Sequence, residues 1–311
     1  MKTNISLILI LCLLLGACKN GNASSQSKSE TPQDTIKAIK MPAIPQMMTA
    51  PEQRADFLAK HYWDNVNFAD TNYIHHPEVT EQAWADYCDL LNHVPLETAQ
   101  QAMRNVIDRT NVDKKVFTYI TDLADKYLYD PNSPMRNEEF YIPVLEAMIA
   151  SPVLNETEKI RPQARLKLAQ KNRIGTKALN FTYTLASGAQ GSLYQLKAEY
   201  LLLFINNPGC QACTETIEGL KNAPIINQLL QEKKLVLLSI YPDEELDEWK
   251  KHLSEFPNEW INGYDKKFTI KKEQVYDLKA IPTLYLLDKD KTVLLKDATA
   301  PAIEAYLMQH Q

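Results

Sequence analysis

Tyr200-Leu201-Leu202-Leu203-Phe204-Ile205-Asn206-Asn207-Pro208-Gly209-Cys210-Gln211-Ala212-Cys213 decides how this chain is read. The apolar run Tyr200–Asn206 has the length and composition of a buried strand. Asn207-Pro208-Gly209 breaks it, and Gln211 opens a helical pattern. Two thiols separated by two residues therefore sit at a strand-to-helix junction. At a helix start, the unpaired backbone N–H groups and the macrodipole favour a thiolate on the first cysteine. The second lies nearly one turn on, within reach of a short disulfide. The spacing fits a redox dithiol.

The N-terminus indicates the compartment. Lys2 precedes an apolar run, Ile5 to Leu15, too short to span a bilayer comfortably and shaped like a signal segment. It ends in Leu15-Gly16-Ala17-Cys18, which resembles a bacterial lipobox. That resemblance implies cleavage after residue 17 and lipid on Cys18, with multiple acyl chains giving a stable anchor. Lys19 follows, with no acidic signal beside it, which favours the outer membrane facing the periplasm. Residues 18–48 read as a tether: Asn20 to about Lys40 is polar and low in large apolar residues, and Met41-Pro42-Ala43-Ile44-Pro45 extends it stiffly.

After removal of the signal, roughly 270 residues remain, enough for two domains. The net charge of −5 comes without a basic tract or a Cys/His finger, so nucleic acid is not expected as a partner. Of five cysteines, Cys12 leaves with the signal and Cys18 takes lipid. Cys88, Cys210 and Cys213 remain, too few for a disulfide-stapled scaffold.

The pattern changes near Leu179. Residues 49–175 read as an all-α domain, with helices expected at Glu52–Phe68, Thr80–Leu91, Leu96–Arg109, Asp113–Tyr129, Asn137–Ala150 and Glu156–Lys171. Pro143 should kink the fifth of these or shift its start. Residues 176–311 read as α/β. Strands are expected at Phe181–Leu185, Ser192–Tyr194, Tyr200–Asn206, Leu235–Tyr241, Thr283–Leu287 and Thr292–Leu295. Helices are expected at Gln211–Gln231 with a break at Pro224, and at Glu244–Phe256, Ile270–Leu278 and Pro301–Met308.

A buried strand, Cys-x-x-Cys at a helix start, a βα unit, then Ala280-Ile281-Pro282-Thr283 before a hairpin and a last helix together resemble a thioredoxin fold. The match runs over roughly Leu179 to Gln311. The lipid anchor, the N-terminal hairpin and the extra helical segment between Tyr241 and Leu278 are similar to the TlpA/ResA-like membrane-tethered thioredoxins. A nearer likeness is to Gram-negative envelope lipoproteins that join an uncharacterised helical domain to a thioredoxin-like domain. It is carried by Asn207-Pro208-Gly209-Cys210, Ile240-Tyr241-Pro242-Asp243, Trp249-Lys250, Trp260-Ile261-Asn262-Gly263 and Leu284-Tyr285-Leu286-Leu287-Asp288.

The resemblance implies a cis Ile281-Pro282 bond facing the dithiol. Ile281 and Thr283 would position an extended substrate segment, and Pro282 would complete the site with Cys210 and Cys213. It also implies thiol–disulfide exchange, with Cys210 attacking and Cys213 resolving. The partners would be exported protein thiols or disulfides and an upstream membrane or soluble redox donor, with no cofactor. The chain departs from thioredoxin in three places, the first being Gln211-Ala212 between the cysteines where thioredoxin has Gly-Pro. Gly209 replaces a Trp before the first cysteine, and Leu203 stands where thioredoxin has a buried proton-accepting Asp. Glu215 and Glu218 follow the second cysteine but read as solvated helix-face residues.

Other readings of the same residues exist. A zinc site would need two more ligands, and no second CxxC exists; the nearest His in sequence, His252, falls in another expected helix. No metal is expected. His75-His76 reads as a solvated pair, Cys88 as a core thiol, and Trp63, Tyr119, Tyr127 and Tyr141 as core aromatics. A non-enzymatic alternative stays open: a partner-binding lipoprotein whose Cys210–Cys213 bond is a resting structural disulfide.

Overall fold

The computed structural model describes residues 38–310. The signal segment, Cys18 and most of the tether lie outside the described residues. Among the described residues, no helix is long and apolar enough to cross a membrane.

The first part is helical: α1 (Pro51–His61), α2 (Pro77–Leu91), α3 (Leu96–Arg109), α4 (Lys114–Ala124), α5 (Glu138–Ala150) and α6 (Glu156–Ala169). Local chemistry sets many of their starts. Pro51 and Pro77 open α1 and α2, where the missing N–H costs nothing. Asp113 and Asn137 cap α4 and α5 with side-chain oxygens, and Asn155 with Glu158 forms a reciprocal capping box on α6. The faces they bury meet in one core around Trp63, Trp84, Tyr87, Met103, Phe117 and Tyr141.

Expectations change here in three helices. The fourth is α-helical only to Ala124 and continues as a π-helical turn over Asp125–Tyr129. The first helix stops at His61 rather than Phe68. Arg109 donates to the Trp63 carbonyl at 3.0 Å and lies over the Phe68 ring at 5.2 Å, so tertiary contacts turn the chain inward. Pro143 neither shifts the start of α5 nor ends it. The carbonyl it deprives of a partner, that of Glu139, accepts a hydrogen bond from Gln100 Nε2 of α3 at 3.1 Å. A neighbouring helix thus repairs the break.

The second part is α/β, and its sheet has seven strands among the described residues: β1 (Thr182–Leu185), β2 (Gln190–Ser192), β3 (Tyr200–Ile205), β4 (Leu235–Tyr241), β5 (Ile261–Tyr264), β6 (Thr283–Asp288) and β7 (Val293–Lys296). Their order is β2-β1-β5-β4-β3-β6-β7. The central strands β3, β4 and β5 run parallel, and the flanking strands pair antiparallel. Helices α7 (Gln211–Lys221), α8 (Pro224–Gln231) and α11 (Ala300–Gln309) supply the sheet's main helical cover, with two shorter helices, α9 (Leu246–Lys251) and α10 (Thr269–Lys272), in the connections.

Because β3 is central, both its faces are buried. Leu202 and Phe204 join Leu220, Ile226, Ile303 and Leu307 on one side. Leu201, Leu203 and Ile205 join Phe181, Ile270, Tyr276 and Tyr285 on the other. That explains an unbroken apolar run rather than an alternating one.

Strand β5 was not expected. Ile261-Asn262-Gly263-Tyr264 is short and carries Asn and Gly, both poor strand formers. Its pairing is tertiary: β4 on one side and β1 on the other. Gly263 suits the close approach there, since a Cβ would stand 3.0 Å from the Tyr183 ring and 3.3 Å from the Thr184 carbonyl, tighter than ordinary contact. Strand β2 sits two residues before the expected Ser192–Tyr194, and Leu193–Gln195 forms a 3₁₀ turn. The expected helix at Ile270–Leu278 shrinks to α10. The expected helix at Glu244–Phe256 divides into α9 and the 3₁₀ turn Leu253–Glu255.

Candidate redox site

The loop after β3 places the cysteines. Gly209 adopts φ +72°, a backbone region that residues with a Cβ enter only with strain. This gives a physical reason for glycine where thioredoxin has Trp. The next residue, Cys210, is the N-cap of α7: the Cys213 backbone N–H donates to Cys210 Sγ at 3.3 Å, and the Thr214 N–H donates to the Cys210 carbonyl at 3.0 Å. The Cys210 sulfur thus receives one of the N–H groups that the start of a helix leaves unpaired.

Cys210 is partly exposed, whereas Cys213 is 2% exposed. Burial pushes the Cys213 thiol up to about 12. A backbone hydrogen bond from Asn207 opposes this, and the neighbouring Cys210 adds to it. The two thiols therefore differ in access: Cys210 is open to an incoming partner and Cys213 is enclosed behind it.

Opposite them lies the segment before β6. The Ile281-Pro282 peptide bond is cis, and the Cys210 thiol donates to the Ile281 carbonyl at 3.7 Å. Cys210, Cys213, Ile281 and Pro282 are thus brought together at one end of the sheet. Thr283 has a different position from the one expected. It is 5% exposed, pairs with Ile205 in the ladder, and its hydroxyl donates to the Ala280 carbonyl at 2.6 Å. Its side chain braces the loop from within rather than facing an incoming segment.

The position of the missing carboxylate is apolar. Leu203 is fully buried between Leu238 of β4 and Tyr285 of β6. Glu215 accepts from Gln211 and Glu218 pairs with Lys221, both exposed on α7. Neither points to proton transfer at the thiols.

A polar network beside the loop went unnoticed in the sequence. Asn207 Nδ2 donates to Asp243 at 2.7 Å, and Asp243 pairs with Lys271. These residues, with Pro208, Tyr241 and Phe268, line a cavity of about 510 Å³ next to the dithiol loop. The available signal was the position of Tyr241-Pro242-Asp243 just after β4, at the same sheet edge as the cysteines. A larger cavity, about 730 Å³, is lined by residues of α3 and α5 together with Arg173 and contains no cysteine or histidine. Among the described residues, no group of three His, Cys, Asp or Glu side chains is placed to hold a metal ion. Cys88 is 2% exposed inside α2, and His76 pairs with Glu78.

Comparison with known proteins follows the same division. Residues 17–172 match a family described as a domain of unknown function, DUF5106, and residues 198–293 match the thioredoxin-like family. Among solved structures, a thioredoxin-like protein from Bacteroides caccae is 83% identical, covering 89% of this chain and 100% of its own, with a TM-score of 0.87. The C-terminal domain of an uncharacterized Bacteroides fragilis protein is 69% identical over 44% of this chain and 98% of its own, with a TM-score of 0.44. The thioredoxin domain of a Bacteroides vulgatus protein named as a thiol-disulfide oxidoreductase is 19% identical over 44% of this chain and 97% of its own, with a TM-score of 0.40. No curated protein matches. With both halves matched and a near-complete relative at high identity, the chain belongs to the thioredoxin-like proteins that carry an N-terminal DUF5106 domain.

Proposed function

We propose that this protein is a thiol–disulfide oxidoreductase of the cell envelope, held to the membrane by lipid on Cys18. It exchanges disulfides with exported proteins. One observation carries the reading: Cys210 caps α7 with its sulfur on a helix N–H, partly exposed, 3.7 Å from the Ile281 carbonyl.

In the reducing direction, the Cys210 thiolate attacks one sulfur of a partner disulfide. A Cys210–partner bond forms, the partner S–S bond breaks, and the second partner sulfur leaves as a thiolate. Cys213 loses its proton and attacks Cys210. The Cys210–Cys213 bond forms, the mixed disulfide breaks, and the partner leaves as a dithiol, reduced by two electrons that this chain supplies. A redox donor of the envelope restores the dithiol. The same steps run backwards when the partner's potential is the lower one.

The test is trapping in cells that express the full chain. Cys213→Ala should accumulate mixed disulfides with exported proteins, identifiable by mass spectrometry, and Cys210→Ala should accumulate none. Equal trapping by both variants would remove the assignment of roles. No trapping, with wild-type protein fully oxidised, would favour a structural disulfide.

A further inference from the structure

The segment leading into the Ile281-Pro282 loop is held by the helical part of the chain. Lys171, just past α6, donates from Nζ to the carbonyls of Glu273 and Gln274 at 3.2 and 2.5 Å. Asn172 donates to the Val275 carbonyl at 2.7 Å and accepts from the Leu179 N–H at 2.7 Å. Lys279, one residue before Ala280, reaches Glu138 at the first position of α5 at 2.9 Å. Its ammonium also meets Asp277 at 3.3 Å and Asp297 at 3.1 Å, and lies 5.1 Å from the centre of the Tyr129 ring. Lys296 of β7 takes the other oxygen of Glu138.

These groups are buried together: the side chains of Lys279, Lys296, Glu138, Asp277 and Asp297 are 7, 7, 12, 7 and 11% exposed. Burial alone would push the Lys279 ammonium toward neutrality; Asp297, Glu138 and Asp277 more than reverse this and keep it charged. A buried lysine with three carboxylate neighbours is poorly free to move, because leaving any of them unpaired in the interior is costly. This cluster is adjacent in sequence to Ala280-Ile281-Pro282.

We propose that Lys279 and Glu138 are positioning residues through which the helical domain fixes the substrate-facing loop of the redox site. In this reading, which rests on thiol–disulfide exchange as the function, the helical domain is part of the site's architecture. It holds the Ile281 carbonyl against Cys210 so that an extended polypeptide carrying a disulfide meets a preformed edge.

The test uses the full chain as wild type, Glu138→Gln, Lys279→Met and Lys279→Arg. Amide hydrogen exchange reads the clamp without reference to activity. Glu138→Gln and Lys279→Met should speed exchange over Thr283 and Leu284, where the loop enters the β6 ladder, by roughly tenfold and leave the middle of β3 unchanged, and Lys279→Arg should restore much of the protection. Kinetics read its use. The KM for a polypeptide disulfide such as insulin should rise roughly tenfold in the same two variants. The rate with a small aromatic disulfide, which needs no backbone pairing, should stay within about twofold. Unchanged exchange at Thr283 and Leu284, or faster exchange spread equally over these residues and the middle of β3, overturns the proposal. Wild-type protein inert to both disulfides overturns the oxidoreductase reading instead, while the exchange measurement still decides whether the clamp exists.

Discussion

The two halves of this chain treat cysteine in opposite ways. In the helical half, Cys88 sits mid-helix, 2% exposed, packed among Trp84, Tyr87 and Leu91, and burial pushes its thiol far up from the ordinary range. In the α/β half, Cys210 sits at the end of a strand and the start of a helix, partly open, with a backbone N–H on its sulfur. The side chain is the same. Position along the helix decides whether sulfur is enclosed as packing volume or left open beside a free N–H: an interior residue has its N–H groups already paired, whereas a cap meets unpaired ones.

The largest test of this contrast is functional. Cys210→Ala should abolish disulfide exchange, measured with insulin as substrate, whereas Cys88→Ala should leave the rate within about twofold and cost only about 1 kcal/mol in urea unfolding. Loss of exchange in Cys88→Ala without loss of fold would break the comparison.

Next in size are the two cores. Trp84→Ala in the helical half and Phe204→Ala in the sheet should each cost about 3–5 kcal/mol, since both side chains are fully buried. Urea unfolding monitored by far-UV circular dichroism reads both. A cost under about 1 kcal/mol at either site would contradict the packing described for that half.

The pH dependence sharpens the asymmetry within the dithiol. Cys213 is held protonated, so the step in which it resolves a mixed disulfide should quicken roughly tenfold per pH unit across the neutral range, in step with its thiolate fraction. Stopped-flow release of a chromophoric thiol measures it. For stability the sign is opposite. The folded, reduced protein keeps this proton while the unfolded chain gives it up, so the contribution is full below about pH 9 and is lost as pH rises toward about 12. A resolution rate flat between pH 6 and pH 8 would be inconsistent with a buried thiol on Cys213.

The smallest effect concerns Pro143. Gln100→Ala should leave the Glu139 carbonyl without its repair and cost about 1–2 kcal/mol by thermal or urea unfolding. Gln101→Ala, whose side chain bonds only to the exposed Glu97, should cost under about 0.5 kcal/mol.

Much of this architecture was legible in advance, for local reasons. The Leu96–Arg109 helix and the Leu235–Tyr241 strand fall where periodicity placed them, because each has a strong pattern and clear flanks. The dithiol was legible because Cys210 and Cys213 mark their own positions, whereas the cis Ile281-Pro282 bond facing them followed from the resemblance to the thioredoxin fold. What escaped depends on partners distant in sequence. Ile261–Tyr264 is a strand only because β1 and β4 flank it. The first helix stops early because Arg109 takes the Trp63 carbonyl. Thr283 turned inward through a bond to Ala280 that no spacing announces. The Lys279 cluster joins residues up to 159 positions apart, 138 to 297, and nothing in either local sequence indicates a buried charge.

The central claim is that Cys210 and Cys213 form an exchanging pair rather than a fixed brace. Its most direct test is a redox titration of the full chain against thiol–disulfide buffers, following the two cysteines by alkylation and mass. An exchanging pair should show a reduction potential above about −300 mV, within reach of exchange with partner thiols. A pair that stays oxidised below about −300 mV would be a structural disulfide and would contradict the account.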